Sequence, residues 1–147
     1  MAEKKKGDYI FASGKRKAAV ARLRLYSALS GVVIGTNIVK KGDIFVNGKK
    51  AEEYFSDKVS QMKINEPLKI TNTTDKYAIS VKLEGGGVQS QLDEFVHAIS
   101  RALSSIDDKN KAILRKKGFL TRDARVRERR KVGMGGKARR QKQSPKR

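Results

Sequence analysis

The stretch LEGGGVQSQLDEFVHAISRAL, residues Leu83–Leu103, decides the fold because it predicts a turn from a strand into a long buried helix. Three glycines, Gly85–Gly87, interrupt the strand pattern. Beyond them, apolar residues recur at spacings of three and four, which is the period of a helix with one buried face. These residues are Leu92, Phe95, Val96, Ile99, Leu103 and Ile106. Such a helix needs a sheet to pack against.

Period-two patterns before this helix predict the strands of that sheet. In one strand the residues that share a face are Tyr77, Ile79, Val81 and Leu83. In a second, AAVARLRLY at 18–26, the apolar face holds Ala19, Ala21, Leu23 and Leu25, and the other face holds Val20, Arg22, Arg24 and Tyr26. This second strand is therefore expected to have one buried face and one basic face.

Shorter sequence patterns predict two more strands and a hairpin outside the main sheet. Apolar runs at Tyr9–Phe11 and Ile44–Val46 predict strands, and Asn47-Gly48 closes the latter with a turn pair that favours hairpins. Ser13–Lys17 is interpreted as a turn that carries three adjacent cations. Two β-branched runs within Ser27–Asp43 predict an extra surface hairpin.

Three further segments complete the predicted elements. Lys50–Phe55 is expected to form one or two helical turns, followed by a helix that Ser56 or Asp57 caps and that runs to Met62. Pro67 is expected to open an extended segment over Leu68–Ile70. A last helix, Lys109–Lys117, is capped by Asp107 or Asp108 and ended by Gly118.

Strands early and in mid-chain with helices late predict an α+β fold with two layers. We expect a mixed sheet of four strands or so, with helices packed on it, over residues 1–117. Residues 27–43 form the extra hairpin of this domain. Residues 118–147 form a long extended tail.

The tail carries most of the charge. From Arg115 to Arg147 the chain reads RKKGFLTRDARVRERRKVGMGGKARRQKQSPKR, with fifteen Lys and Arg against Asp123 and Glu128, in a protein of net charge +20. Its apolar residues are scattered, so we expect that burial does not offset its ordering entropy. A nucleic acid is the favoured partner, and the alternatives are a membrane surface and a solvated tail or localisation signal.

Composition bounds the other possibilities. The chain has no cysteine, which excludes disulfides and cysteine-ligated metal sites. The first residues are charged without an apolar core, so no secretory signal is expected there, and no apolar run is long enough to span a bilayer. A pI near 10.4 in a cytosolic protein again favours nucleic acid.

Few residues suggest catalysis. Gly85–Gly87 before a helix is compatible with a phosphate site, but a tight turn explains these glycines better. Gly133–Lys137 resembles a nucleotide loop only superficially, because no Ser or Thr follows the lysine. His97, the single histidine, is interpreted as a helix-packing residue, with an RNA contact as the alternative. The acid pairs at 52–53 and 93–94 point about 100° apart on a helix and do not converge, and no metal site can be assembled.

Asp123 and Glu128 lie among the tail arginines. One interpretation is that they orient guanidinium groups through bidentate pairs. The other is that they only dilute the positive charge.

Four segments together resemble a known family. SGKRKAAVARLRL at 13–25, FVNGKKAEEYF at 45–55, the stretch at 83–103 and LRKKGFLTRDARVRERRKVGMGGKARRQKQSPKR at 114–147 are similar to the ninth protein of the small ribosomal subunit. The likeness covers nearly the whole chain in the same order. The chain differs at its tip, where Ser144-Pro145 stands in place of the aromatic-serine pair usual in bacterial relatives, and Pro145 has no N–H to donate.

The resemblance implies a structural ribosomal protein of the cytoplasm, with no catalytic residue, cofactor or metal. It implies a fold like that of the second domain of ribosomal protein five. The implied partners are ribosomal RNA of the small-subunit head, neighbouring head proteins, and the anticodon stem-loop of transfer RNA in the peptidyl site.

Charge and resemblance together predict the binding residues. The expected ribosomal-RNA ligands are Lys15, Arg16, Lys17, Arg22, Arg24, Arg115, Lys116, Lys117, Arg122, Arg125, Arg127, Arg129, Arg130, Lys131, Lys137, Arg139, Arg140 and Lys142. The expected transfer-RNA ligands are Ser144, Lys146 and Arg147. Two rival functions stay open: a phosphotransferase that uses the triple glycine, and an RNA chaperone that acts away from the ribosome.

Overall fold

The computed structural model describes residues 9–27, 33–34, 37–129 and 131. Seven strands and four helices lie in these ranges. In chain order they are β1 (Tyr9–Arg16), β2 (Ala19–Tyr26), β3 (Val33–Ile34), β4 (Asn37–Ile38), β5 (Ile44–Val46), β6 (Lys49–Lys50), α1 (Ala51–Tyr54), α2 (Lys58–Ile70), β7 (Ala78–Glu84), α3 (Val88–Ile106) and α4 (Asp108–Lys116).

Five strands form one sheet in the order β1-β2-β7-β5-β6. The β5–β7 pair is parallel and the other pairs are antiparallel, so the sheet is mixed, as predicted. The register places Leu23 of β2 between Ala12 and Val81. The α+β class is confirmed. The expected likeness to the second domain of ribosomal protein five stays a prediction.

The core lies between one face of the sheet and the helices. The predicted apolar face of β2 is fully buried, and so are Leu92, Phe95, Ile99 and Leu103 of α3, whereas Val96 is only partly buried. Each fully buried side chain of this size contributes about 1.5–3 kcal/mol. Ile64 of α2 and Leu114 of α4 join the same cluster. The helices therefore form the second layer of a two-layer domain.

Two short strands lie within the segment that is predicted to form the extra hairpin. β3 and β4 pair antiparallel as a separate two-stranded sheet. Just after β4, Val39 is buried together with Tyr26, Phe45 and Ala78 in a second, smaller apolar cluster. The base of the hairpin therefore covers one end of the sheet face that the helices leave open.

The triple glycine forms a tight turn against the β1–β2 hairpin. Gly85 and Gly86 have φ angles of +73° and +64°. A Cβ at Gly85 would lie 2.5 Å from the carbonyl oxygen of Ala18, and a Cβ at Gly86 would lie 2.6 Å from the Cβ of Ala19. Backbone conformation and close packing thus both require glycine here, which supports the tight-turn interpretation.

The predictions for residues 56–70 were wrong in part. Asp57 caps α2 through its side chain, as expected, but the helix continues past Met62 to Ile70 and contains Pro67. A proline in a helix interior costs about 3 kcal/mol. Pro67 and Leu68 are buried in the core, and this burial offsets the cost.

The predicted turn at Ser13–Lys17 was also too long. β1 pairs with β2 up to Arg16, opposite Ala19, so the turn is only Lys17-Ala18. Lys17 takes a φ of +51° to make it. Of the three cations predicted for the turn, tight pairing therefore places Lys15 and Arg16 in the strand and leaves Lys17 in the turn.

Candidate nucleic-acid interface

The segment that leaves α4 packs against the domain. Gly118 has a φ of +81°, and the Phe119 N–H donates to the Leu114 carbonyl at 3.0 Å. Phe119 and Leu120 are partly buried against the main core. These two of the scattered apolar residues of the tail therefore pack on the domain, because the end of α4 turns the chain back onto α3.

Arg16 holds the next part of this segment. Its Nη1 donates to the carbonyl oxygens of Asp123 at 3.2 Å and Arg125 at 2.9 Å. Its Nη2 lies 2.8 Å from Oδ2 of Asp123, and the Arg16 side chain is only 13% exposed. Of the three cations predicted for the turn, this one is therefore committed to contacts within the protein.

Asp123 also pairs with Arg125 in bidentate geometry. Nε of Arg125 donates to Oδ1 at 3.0 Å and Nη2 donates to Oδ2 at 2.6 Å. These hydrogen bonds from Arg125 are the main cause that holds the pKa of Asp123 far below its usual range. The interpretation that tail acids orient guanidinium groups is confirmed for Asp123.

Two more contacts fix the segment on its other sides. Nε of Arg122 donates to the Lys15 carbonyl at 3.1 Å. Nε2 of His97 lies 3.3 Å from the Leu120 carbonyl, so in the neutral ring this nitrogen carries the proton and donates. Burial lowers the pKa of His97, which favours that neutral form. His97 thus packs α3 against the start of the tail, as predicted.

A cavity of about 240 Å³ separates α3 from this segment. Its walls include Glu94, which is 1% exposed. Burial raises the pKa of Glu94 to about 8, and the Arg16 backbone N–H opposes that rise without reaching hydrogen-bond geometry. Among the residues that the structure describes, neither oxygen of this carboxyl group has a partner. Glu94 is therefore mostly neutral at pH 7.

The cavity does not have the features of a catalytic site. Asp93 points its carboxylate toward Arg16, with Oδ2 3.9 Å from Nε. The adjacent Glu94 is buried and lines the same cavity. In the described part of the chain, no three His, Cys or acidic residues are grouped to hold a metal ion.

Most of the other predicted RNA ligands that the structure describes are exposed in or next to this segment. On the first strand and its turn these are Lys15 and Lys17, at the end of α4 and just after it they are Arg115, Lys116 and Lys117, and further along they are Arg122, Arg125, Arg127, Arg129 and Lys131. Arg115 and Lys116 also suit the partial negative charge at the C-terminus of α4. The structure therefore brings the basic hairpin turn and the start of the tail to one side of the domain.

Arg22 and Arg24 lie elsewhere, on the open face of the sheet. Nη2 of Arg22 is 3.7 Å from Glu84, and the guanidinium carbon of Arg24 lies 5.1 Å from the Tyr9 ring centre. Lys82 also lies on this face. Nη1 of Arg101 donates to the Ser13 carbonyl at 2.6 Å. Neither residue was among the predicted RNA ligands. Lys82 follows the period-two pattern of β7, and Arg101 lies one helical turn after His97. The sequence around each residue therefore contains a pattern from which its position could have been predicted.

The other predicted ligands lie outside the described residues. They are Arg130, Lys137, Arg139, Arg140, Lys142, Ser144, Lys146 and Arg147. The loop-like segment Gly133–Lys137 lies there as well. Within the described ranges, no helix is long and apolar enough to cross a membrane.

Comparison with known proteins gives one consistent family. Residues 14–147 match the family model described as ribosomal protein S9/S16. Over 129 residues the chain is 47% identical to the small ribosomal subunit protein uS9 of Maridesulfovibrio salexigens. The matched region covers 88% of this chain and 90% of that protein. For uS9 of Lawsonia intracellularis the identity is 42% over 127 residues, with 86% and 88% covered. For uS9 of Desulfovibrio desulfuricans it is 40% over 124 residues, with 84% and 86% covered. On this extent of similarity, the chain belongs to the ribosomal protein S9/S16 family.

Proposed function

We propose that this chain binds ribosomal RNA in the head of the small subunit, and that residues 144–147 contact the anticodon stem-loop of transfer RNA in the peptidyl site. Membership of the S9/S16 family makes it a structural, non-enzymatic constituent of the small ribosomal subunit, which acts in translation. The chain therefore acts by binding other molecules and not by catalysis. The contacts with the head and with transfer RNA belong to the proposal.

The observation that carries the RNA-binding proposal is the packed start of the tail. Arg16 and Arg125 already neutralise Asp123. The cations around it, from Lys15 and Lys17 to Arg127 and Arg129, remain exposed. On the described part of this surface the exposed cations outnumber the one exposed tail acid, Glu128, so the surface presents a positive field to a phosphate backbone.

The proposed mechanism is electrostatic. Lys and Arg neutralise RNA phosphates and release condensed counterions, which favours binding most at low salt. Arginine suits this task because its planar fork bonds phosphate oxygens and stacks on bases. We propose that the tail takes its bound shape along the RNA and that the domain fixes only where it starts.

Salt dependence tests this proposal. If the chain engages about six to ten phosphates, its affinity for a fragment of the head ribosomal RNA falls by about 10³–10⁵ between ~50 and ~200 mM salt, by the rule for duplex DNA. Replacing Arg127, Arg129 and Lys131 by Gln lowers the slope of log affinity against log salt by about 1 per lost contact. Filter binding measures both quantities.

A matched control uses three exposed lysines away from the tail, Lys49, Lys50 and Lys58. Their replacement by Gln should leave the slope closer to that of the wild type. An affinity that barely changes with salt contradicts the proposal. Sucrose-gradient fractionation separates it from the RNA-chaperone alternative, because a subunit constituent sediments with the small subunit.

A further inference from the structure

The open face of the sheet carries exposed aromatic residues next to cations. Odd-numbered residues of β1 face this side, and the register puts Phe11 opposite Arg24 and Tyr9 opposite Tyr26. Phe11 is 58% exposed and Tyr9 is 40% exposed. On a solvated sheet face polar residues are usual, so the packing of the core does not account for these two aromatic side chains.

Arg24 lies on the neighbouring strand, opposite Phe11 and close to the Tyr9 ring. Its guanidinium carbon is 5.1 Å from the centre of the Tyr9 ring, within cation–π distance. Its strand position is next to Phe11 on one side and Ser80 of β7 on the other. The face therefore groups aromatic rings with a planar cation, and both kinds of group stack on nucleic-acid bases.

The charge of this face favours an anionic partner. Arg22 and Lys82 are directly opposite each other on neighbouring strands, one pair further along the sheet. Both contact Glu84, with Nζ of Lys82 at 2.6 Å and Nη2 of Arg22 at 3.7 Å. Two cations share a single acid, and Arg24 adds a third positive charge, so the net charge here is positive.

From these observations we infer that the open sheet face binds an unpaired RNA segment, with a base stacked on Phe11 and the adjoining phosphates bonded by Arg24, Arg22 and Lys82. A bare base is needed because a base in a duplex is already stacked on its neighbours and does not offer its face. A protein partner would need a larger apolar surface than two aromatic rings amid cations. The inference rests on the RNA-binding function proposed above and adds a second contact, separate from the tail.

The test uses the full chain and a single-stranded RNA of ~8 nucleotides with 2-aminopurine at its centre. Stacking quenches the fluorescence of this base, and anisotropy gives the affinity. Phe11→Val removes the ring and keeps a residue that favours strands, whereas Phe11→Tyr keeps the ring. Val59→Ala on α2 is the matched control, because Val59 is also 58% exposed.

We expect Phe11→Val to abolish the quenching and weaken single-strand binding by about 5–150-fold, the range for loss of one base–aromatic stack. Phe11→Tyr and Val59→Ala should behave as the wild type. Affinity for the same strand in a duplex should not change, because the tail contacts phosphates in both.

Two results overturn the inference and leave the proposed function standing: unchanged quenching in Phe11→Val, or an equal loss for single strand and duplex. The first would mean that the stacked base lies elsewhere or that this face has a protein partner. A wild-type chain that binds neither RNA with a salt-dependent affinity would overturn both.

Discussion

Arg16 and Asp123, 107 residues apart in the chain, form an ion pair in which Nη2 of Arg16 lies 2.8 Å from Oδ2 of Asp123. Arg16 lies at the end of β1, next to the hairpin turn, and Asp123 lies in the segment that leaves α4. The same guanidinium group also bonds the backbone carbonyls of Asp123 and Arg125. Arg16 therefore ties the end of β1 to the start of the basic tail through three contacts.

Removing this contact should free the start of the tail. Charge-assisted hydrogen bonds are roughly twice as strong as neutral ones, so their loss should shift the opening equilibrium of this segment. In Arg16→Ala and in Asp123→Asn we expect hydrogen exchange at the Thr121 and Arg125 amides to rise by about tenfold or more. Amide exchange of the free protein measures this.

Lys111→Ala is the control, because it breaks an ion pair with Asp108 in which both side chains are exposed. Such pairs contribute little, so exchange at the two amides should change little. Unchanged exchange at both amides in Arg16→Ala would show that the tail is held by Phe119 and Leu120 alone.

The buried carboxyl group of Glu94 should make stability fall as pH rises. Its pKa is about 8 in the folded protein against an ordinary value of 4.5. Between these pH values the folded state keeps a proton that the unfolded state releases, so the free energy of unfolding decreases across this window. Glu94→Gln is neutral at every pH and removes that decrease.

Each pKa unit corresponds to about 1.4 kcal/mol, and solvent screening at this cavity-lining group reduces the effect. We therefore expect Glu94→Gln to be more stable than the wild type by at least ~1 kcal/mol near pH 8. Urea unfolding at pH 5, 7 and 8.5 measures it. Parallel curves for the two proteins would show that the carboxyl group reaches water and is ionised when folded.

The second glycine of the triple-glycine turn should tolerate no side chain. Gly86→Ala combines a φ of +64° with a Cβ 2.6 Å from the Cβ of Ala19. Positive φ alone costs about 1–2 kcal/mol for a non-glycine residue, so we expect a loss of at least ~2 kcal/mol of unfolding free energy. Chemical denaturation gives the value.

The neighbouring glycine supplies the control. Gly87 has a φ of −109° as the N-cap of α3, and a Cβ there would meet no atom within 4 Å. Gly87→Ala should cost about 1 kcal/mol or less. An equal effect of the two substitutions would mean that the loop shifts to accept a side chain, and the tight-turn explanation would then lose its basis.

Deleting Lys146 and Arg147 should spare subunit assembly and weaken the hold on transfer RNA in the peptidyl site. Each charge-assisted phosphate contact contributes about 1.5–3 kcal/mol at best. Toeprinting with ribosomes that contain the truncated protein measures the retention. A variant with Lys146→Arg and Arg147→Lys keeps both charges and serves as the control. Wild-type retention and reading-frame accuracy after the deletion would contradict the proposed contact.

Several parts of the fold were predictable because their signal is local. The alternation of Ala19, Ala21, Leu23 and Leu25 matches the buried face of β2. The spacing from Leu92 to Leu103 matches the buried face of α3. Asn47 and Gly48 form the predicted turn with φ angles of +50° and +86°. In each case, successive residues of the pattern are within one helical turn or a few strand positions of each other.

The sequence by itself determined the α+β class, the buried faces of β2 and α3, and the charge of the tail, because apolar period and charge count are properties of neighbouring residues. Only the tertiary structure decided that α2 continues through Pro67, that Glu94 is buried, and that Arg16 turns inward to Asp123 and not outward to solvent. Those outcomes depend on burial and on pairing between residues that are far apart in the chain. No local pattern reports such contacts, since they exist only once the sheet, the helices and the start of the tail have packed together.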